Sequence, residues 1–437
     1  MMSHDFAARR RRVFDAIGPS SSLVIGASPE LRVGLDTELK YVVDADVWYL
    51  TGHAEPETVA LLRRSGDDCS FILFVRPRDP SRELWTGARV GVDSAVERWG
   101  ADEAWPIAGL ADRLPKLIAE SDDVYVRLSA GRPDVEDVVT RAMATARRSR
   151  PRTGKGPFRL IDPGSFLGEM RMTKDAAELD AMRAAARITV ESFTESARSI
   201  RAGAGEWEVE AAIESGFRRR GASGAAFPTI AASGPNATVL HHIANDRTIQ
   251  DGDLVLVDAG ARHAMYCADI TRTFPTSKSF DGAGLAVYEI VLAAHDAAIA
   301  AAAPGRTIRD VHDAASRVLV AGMLDLGLVA GDLDALLSDE SDARRFYPHR
   351  TSHWLGLDVH DAGPYAKRDG SPWTLQPGMI LTVEPGLYVA EWVETAPDAL
   401  RGIGVRIEDD VLIMADGREV LTAGLPVAAD DVAAMRG

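Results

Sequence analysis

Asp253-Leu-Val-Leu-Val-Asp258-Ala-Gly260, followed after a brief turn by Tyr266-Cys-Ala-Asp269-Ile-Thr-Arg-Thr-Phe274, is the segment on which the fold depends. Its first half is a short apolar run closed by a carboxylate, the pattern of a buried strand, and its second half is another. The two are expected to pair as a hairpin. Asp258 and Asp269 stand symmetrically about the turn, so pairing would set them opposite each other at Cβ separations of roughly 4.5–5.5 Å. Facing anions repel unless a cation lies between them, although two aspartates in one hairpin also occur without any metal.

Downstream, His349-Arg-Thr-Ser-His353-Trp-Leu-Gly-Leu-Asp-Val-His360-Asp361 crowds three of the chain's 10 histidines into one short segment. Imidazole supplies neutral nitrogen ligands and acid-base groups near neutral pH, and three core histidines so close together would be a coincidence. Pro377-Gly-Met-Ile-Leu-Thr-Val-Glu384-Pro-Gly386 reads as a turn, an apolar strand and a glutamate held where proline and glycine end that strand. In Gly404-Val-Arg406-Ile-Glu408 the alternation puts Arg406 and Glu408 on one strand face and Val405 and Ile407 on the other. A salt bridge to a neighbour would serve Glu408 as well as a metal.

Asp258, Asp269, His353, Glu384 and Glu408 together make an oxygen-rich set with one imidazole. Such a set suits two hard divalent cations, manganese, cobalt, iron or zinc, roughly 3.5–4 Å apart and bridged by shared carboxylates. A water between them would lose its proton more readily and serve as the nucleophile of a hydrolysis.

Around this core, Asp175-Ala-Ala-Glu178 resembles a capping box, and Leu179, Met182, Ala186 and Val190 recur at helical spacing, so a long helix is expected to run to near Gly203. A second helix follows over Trp207 to Arg220, closed by Gly221, and two more over 284–302 and 307–328. Nearer the amino terminus, Ser22 to Gly26 and Phe71 to Val75 read as strands and Val135 to Thr145 as helix, a mixed α/β domain. Arg147 to Phe158, with Pro151, Gly154, Gly156 and Pro157, has loop composition. The fold class is α+β, with one domain over 1–171 and a second over 172–437.

The chain has 437 residues and a formal net charge of -16, which repels phosphate backbones, so nucleic acid and anionic membranes are not expected partners. Arg9 to Arg12 read as a solvated helix face, with no apolar segment of a secretory signal after them. The apolar stretch Ile290 to Pro304 is interrupted by His295 and Asp296 and reads as too short to cross a bilayer. Cys69 and Cys267 are the chain's 2 cysteines, which fits unpaired thiols in a reducing, cytoplasmic compartment.

The histidine block, the order of the five donors, and Asp44-Ala-Asp-Val-Trp-Tyr-Leu-Thr-Gly52 with Glu55-Pro56 resemble the pita-bread metallopeptidases of the aminopeptidase P and prolidase branch over nearly the whole chain. The resemblance implies a pita-bread catalytic domain after a smaller creatinase-type domain. By position, Asp258 would hold one metal, His353 and Glu384 the other, and Asp269 and Glu408 both, with manganese the expected ion. His360 and His241 would stabilise the oxyanion, and Glu384 would also carry the water's proton to the leaving nitrogen. Arg406 and Tyr388 would support the site, and His349 and Phe227 would wall a proline pocket.

Trp-Leu-Gly-Leu-Asp-Val-His at 354–360, Arg-Gly-Ile-Gly-Val-Arg-Ile-Glu at 401–408 and Glu83-Leu-Trp85-Thr-Gly87 look closer to aminopeptidase P than to the dipeptide-restricted prolidases. In such relatives a tryptophan at the Trp85 position reaches a neighbouring subunit's site, which implies a dimer or tetramer; otherwise it is an ordinary buried aromatic. The implied substrates are peptides with proline second. Arg350 and His242 depart from the pattern, where relatives often carry a small residue and an aromatic. A non-catalytic binding protein on this fold would be expected to have lost metal ligands.

Overall fold

The computed structural model describes residues 4–128, 132–339 and 342–436. Two compact units divide the chain, His4–Leu167 and the residues from Gly168 onward. In the first, six strands lie side by side in the order Glu103–Pro106, Asp68–Val75, Val59–Ser65, Ser20–Gly26, Asp123–Val126 and Arg159–Ile161. The middle pairs are antiparallel and the outer ones parallel, the mixed sheet expected of an α/β domain. Val24, Leu61, Ile72 and Phe74 pack against Leu114 and Val139 of the covering helices to form its core.

Two expectations hold only in part in this unit. Arg11 and Arg12 are exposed as expected, but Arg9 lies over the Tyr49 ring and Arg10 over Phe71, and Arg10 donates to the carbonyls of Leu50 and Trp99, so these two are buried. Of the loop expected over Arg147 to Phe158, the part up to Thr153 is the end of a helix, Pro133–Thr153, and only Gly154 to Phe158 is irregular. Pro151 sits in its final turn at the cost of one helical hydrogen bond, basic residues suit the negative end of the helix, and Gly154 ends it in the left-handed region at φ 67°.

The second unit opens with the helix Ala176–Ser196, whose capping box is formed in both directions: Glu178 N–H donates to Asp175 and Asp175 N–H to Glu178, each at 2.9 Å. It gives way to a short 3₁₀ turn at Ala197–Ser199, short of Gly203, and the helix Glu206–Arg219 packs back on it. A second helix pair, Gly282–Ala301 and Ile308–Asp325, packs likewise. Three antiparallel strands, Ile230–Ser233, Leu254–Ala259 and Ile270–Pro275, form one sheet, and Ile380–Val383, Asp409–Met414 and Gly417–Val420 form another. Gly386–Val389 pairs with Ile403–Arg406, and a bridge between Thr271 and Glu408 ties the sheets together. Helix pairs covering antiparallel strands are the pita-bread arrangement, an α+β architecture.

By length and composition Gly282–Ala301 could cross a membrane, contrary to the shorter segment expected from the sequence. Val287, Tyr288, Val291, Ala294 and Ala298 on one of its faces are nevertheless buried in the core of the unit. Burying each larger apolar side chain there contributes roughly 1.5–3 kcal/mol.

Between the strands that carry Asp258 and Asp269, the chain does not simply turn. Residues Ala261–His263 and Tyr266–Cys267 form a small ribbon, closed at Ala264 and Met265, both with positive φ, and Gly224–Ala225 pairs with its first strand on the other side. Its base closes tightly: a Cβ on Gly260 would lie 1.7 Å from the Ala268 carbonyl oxygen. Gly260→Ala should therefore force the two strands apart and destabilise the protein by about 2–3 kcal/mol, with weakened metal uptake. Thermal unfolding and elemental analysis of the variant check both effects, and wild-type values would refute the crossing as the constraint.

Candidate metal centre

Asp258 pairs in register with Thr271 rather than with Asp269. The expected face-to-face aspartates are thus diagonal neighbours on one face, because the ribbon between them shifts the pairing by two residues. Glu408 is brought to the same face by its bridge to Thr271: its N–H donates to the Thr271 carbonyl at 3.0 Å, and the Thr271 hydroxyl donates to its carboxylate at 2.7 Å. Glu384 directly follows the strand Ile380–Val383, which ends there as expected, and a new strand begins at Gly386. His353 is held beside Glu384 by Thr382, whose hydroxyl accepts its N–H at 3.1 Å and faces Glu384 Oε1 at 3.4 Å.

These groups converge. Donor atoms of Asp269, His353 and Glu408 lie within 4.8 Å of one another. His353 Nδ1 lies 3.1 Å from the Trp354 carbonyl and therefore carries the proton, which leaves a lone pair on Nε2. That lone pair faces Asp269 Oδ2 and Glu384 Oε1, each at 3.5 Å. Acceptors facing acceptors gain nothing from hydrogen bonding unless a proton or a cation lies between them. Asp258 Oδ1 and Asp269 Oδ1 are buried with no hydrogen-bond partner among the described residues, which adds to the demand. The residues fit a divalent metal centre of hard oxygen donors and one imidazole.

Electrostatics agree with that fit. Burial, then Glu408 and Asp258, push the Asp269 carboxyl well above the usual range, and burial, then Glu384 and Asp258, do the same to Glu408. Glu384 is pushed up to about 8 by burial, against the pull of Arg406. The histidines move the other way: His349 is held down to about 3 by burial and Arg406, His353 to about 4 by burial and His360, and His360 is lowered by burial and His241. All three are neutral near pH 7.

Arg406 organises the floor. Its guanidinium donates to Asp258 at 2.5 Å, to the Tyr388 hydroxyl at 3.0 Å and to Thr271 at 3.1 Å. Tyr388 lies 2.8 Å from His349 Nε2 and His349 Nδ1 lies 2.9 Å from the Arg350 carbonyl, so proton placement along the chain is settled. Tyr388 is buried and acts through those two neighbours. Phe227, His241, His349, His353, His360 and Arg406 are among the residues lining a cavity of about 1270 Å³ over this floor. Trp85 belongs to the other unit, on the helix Pro80–Thr86, and is 87% exposed, which excludes an ordinary buried aromatic.

Several supports escape a reading of the sequence. Thr271 and Thr382 orient ligands through hydroxyls. Buried Asp361 joins Arg171 and, at 3.2 Å, Lys174, anchoring the loop that carries His360. Asp410 accepts the Asp269 N–H at 3.2 Å. Alternation of Thr271 and Thr273 on the strand after Asp269, and of Thr382 with Glu384, was the available signal.

Metal-free protein has a definite pH signature. Glu384, Asp269 and Glu408 bind protons more tightly folded than unfolded, so their contribution favours the fold below the ordinary carboxyl value of 4.5 and is lost as pH rises toward about 8. The melting temperature of chelated protein should fall between about pH 5 and 8, and a divalent metal should flatten that slope. A chelated protein whose stability is flat or rising over this window contradicts the carboxylate crowding.

Residues 180–415 match the model of metallopeptidase family M24, and residues 6–125 match that of the aminopeptidase P amino-terminal domain. The chain is 37% identical to a Xaa-Pro aminopeptidase of Haemophilus influenzae, over 98% of this chain and 96% of the relative. It is similar in structure to Pseudomonas aeruginosa aminopeptidase PepP, with TM-score 0.93 and 41% identity over 99% of this chain and 97% of that one. Zn-substituted Escherichia coli aminopeptidase P in complex with product gives TM-score 0.93 at 37% identity over 99% and 97% of the two chains. Donor set, fold and these matches agree, and the chain belongs to metallopeptidase family M24.

Proposed function

We propose that this chain is a Xaa-Pro aminopeptidase, hydrolysing the bond between an amino-terminal residue and a following proline. The observation that carries the reading is the convergence, in one cavity, of Asp258, Asp269, Glu384, Glu408 and His353 with further histidines of the same unit, His241, His349 and His360 among them. A non-catalytic protein on this fold would be expected to have lost metal ligands, and here all five donors are present. Four carboxylates offer more oxygen than one ion needs, which supports two divalent cations, manganese first and cobalt, zinc or iron after it. When bound, these ions lower the pKa of a water and polarise the scissile carbonyl.

The protein's own groups do the rest. Glu384 takes the water's proton and passes it to the proline nitrogen as the bond breaks. His360, its ring centroid 4.4 Å from that of His353, and His241 offer N–H donors to the carbonyl oxygen as charge builds on it. Phe227 and His349 wall the proline ring, and Arg406 with Tyr388 keeps Asp258 and His349 in place.

The cavity exceeds the roughly 1,000 Å³ upper end of ordinary ligand pockets, which supports peptides longer than two residues. The negative net charge supports peptides over nucleic acids or anionic membranes, and two free cysteines support a cytoplasmic setting. Leu84 and Trp85, both 87% exposed, support a homo-oligomer, since large apolar groups side by side in water seek cover. Light scattering should return a dimer or tetramer, and a fully active monomer contradicts it.

Metal-loaded enzyme given Xaa-Pro and Xaa-Pro-Yaa-Yaa peptides, with products read by mass spectrometry, should release the first residue preferentially from the longer one. Dipeptide-only cleavage identifies a prolidase instead. His360→Ala should keep its metal and lose about 10²–10³ in turnover. Loss of a metal equivalent would show that His360 is a ligand, and near-normal turnover that it has no catalytic part.

A further inference from the structure

His242 follows the cavity-lining His241 but turns onto a different partner. Glu206 opens the helix Glu206–Arg219 with a side chain that is 0% exposed. One of its oxygens accepts the Ser233 N–H at 2.6 Å, the Ser233 hydroxyl at 2.7 Å and the Asn236 amide at 3.0 Å. The other accepts the Arg247 N–H at 3.0 Å and faces His242 Nε2 at 3.0 Å. Burial opposes ionisation of Glu206, but the donors from Arg247, Ser233 and Asn236 outweigh it and hold its carboxyl below the usual range. Being a carboxylate, Glu206 only accepts, so Nε2 of His242 donates to it, and the Asn236 amide, 3.1 Å from the same nitrogen, gives its protons to the two Glu206 oxygens instead.

Glu206, His242 and Asp246 bring donor atoms within 4.8 Å of one another, as a metal site would. The oxygens of Glu206, however, are already filled by donors from Ser233, Asn236, His242 and Arg247, two of them backbone amides that a cation would have to displace. The cluster is a clamp. It grips a tight turn, because the Ile243 N–H donates to the His241 carbonyl at 3.0 Å, with His242 as the central residue. Asn245, further along, is fixed by the Thr229 carbonyl at 2.8 Å and by Ala231 N–H at 2.9 Å. His241 is therefore carried by a turn whose middle residue is tied to a buried helix start. His241 is close enough to His360 and His349 for its charge to weigh on both.

We propose that His242 is a positioning residue: its hydrogen bond to Glu206 fixes the turn that aims His241 at the scissile carbonyl. This rests on the oxyanion role given to His241 above. Removing the bond frees the turn, and a misplaced donor is lost mainly in the transition state, so turnover suffers while substrate binding persists.

The experiment is a double-mutant cycle on metal-loaded enzyme with one Xaa-Pro-Yaa-Yaa peptide. His242→Ala should lower kcat roughly 10-fold, leave KM within about 2-fold, and keep its metal content. His242→Gln, which restores an N–H at the same reach, should recover most of the loss. In a His241→Ala background, His242→Ala should cost nothing further. Equal losses in both backgrounds, no loss in the single variant, or no rescue by glutamine overturns the positioning role. If His241→Ala alone leaves turnover unchanged, the oxyanion assignment of His241 falls first, and the positioning role falls with it.

Discussion

Mutual repulsion of Asp258, Asp269, Glu384 and Glu408 is the constraint under which the rest of the catalytic unit is built. Burial raises its cost, since a low dielectric strengthens each like-charge contact and removes the water that would relieve it. Relief comes partly from within. Arg406 reaches Asp258, Thr271 donates to Glu408 and Asp410 fastens the Asp269 backbone, each ligand thereby keeping one satisfied contact while another oxygen points inward. The remaining deficit is positive charge at the middle. A fold that supplied it from lysines would have no site; leaving it to metal makes the cluster functional.

The run Glu408-Asp409-Asp410 shows how finely that constraint is applied. Glu408 turns to the metal floor. Asp409 turns to Arg272 at 2.9 Å and His295 at 3.0 Å, and although burial opposes it, Arg272 and His295 hold its carboxyl far below the usual range. Asp410, with burial unopposed by any cation, is raised. Three successive acids on one extended segment thus have three different fates, set by which element lies across from each. Arg272 also donates to the Glu408 carbonyl at 2.6 Å, so the structural pair and the metal floor share one strand.

Legibility in the sequence followed the range of the interactions. The capping box at Asp175 and Glu178 closes over three residues and could be read directly. The four carboxylates were legible because each stands on or beside an apolar strand, where a charge needs a reason, and His353 because three histidines crowd into one short segment. Register was not: only the ribbon between Gly260 and Ala268 decides that Asp258 meets Thr271, and its positive-φ residues, Ala264 and Met265, carry none of the usual turn composition. Arg9 and Arg10 look solvated because their partners Tyr49, Leu50, Phe71 and Trp99 lie far along the chain. Pro151 reads as loop beside Gly154, Gly156 and Pro157, yet the helix carries it in its last turn at the cost of one hydrogen bond. Thr271 and Thr382 left only their strand alternation as a signal and Asp361 left none, since a hydroxyl or a lone acid gains its meaning from what faces it.

The bridge from Thr271 to Glu408 spans 137 positions of sequence, which matters while the protein is being made. At about 5–20 residues per second a ribosome needs roughly 7–27 s to cover that interval. Throughout it, Asp258 and Asp269 are present without the groups that complete their site. A half-synthesised chain therefore holds an incomplete donor set, and the site can be completed only once the segment carrying Glu408 has been made.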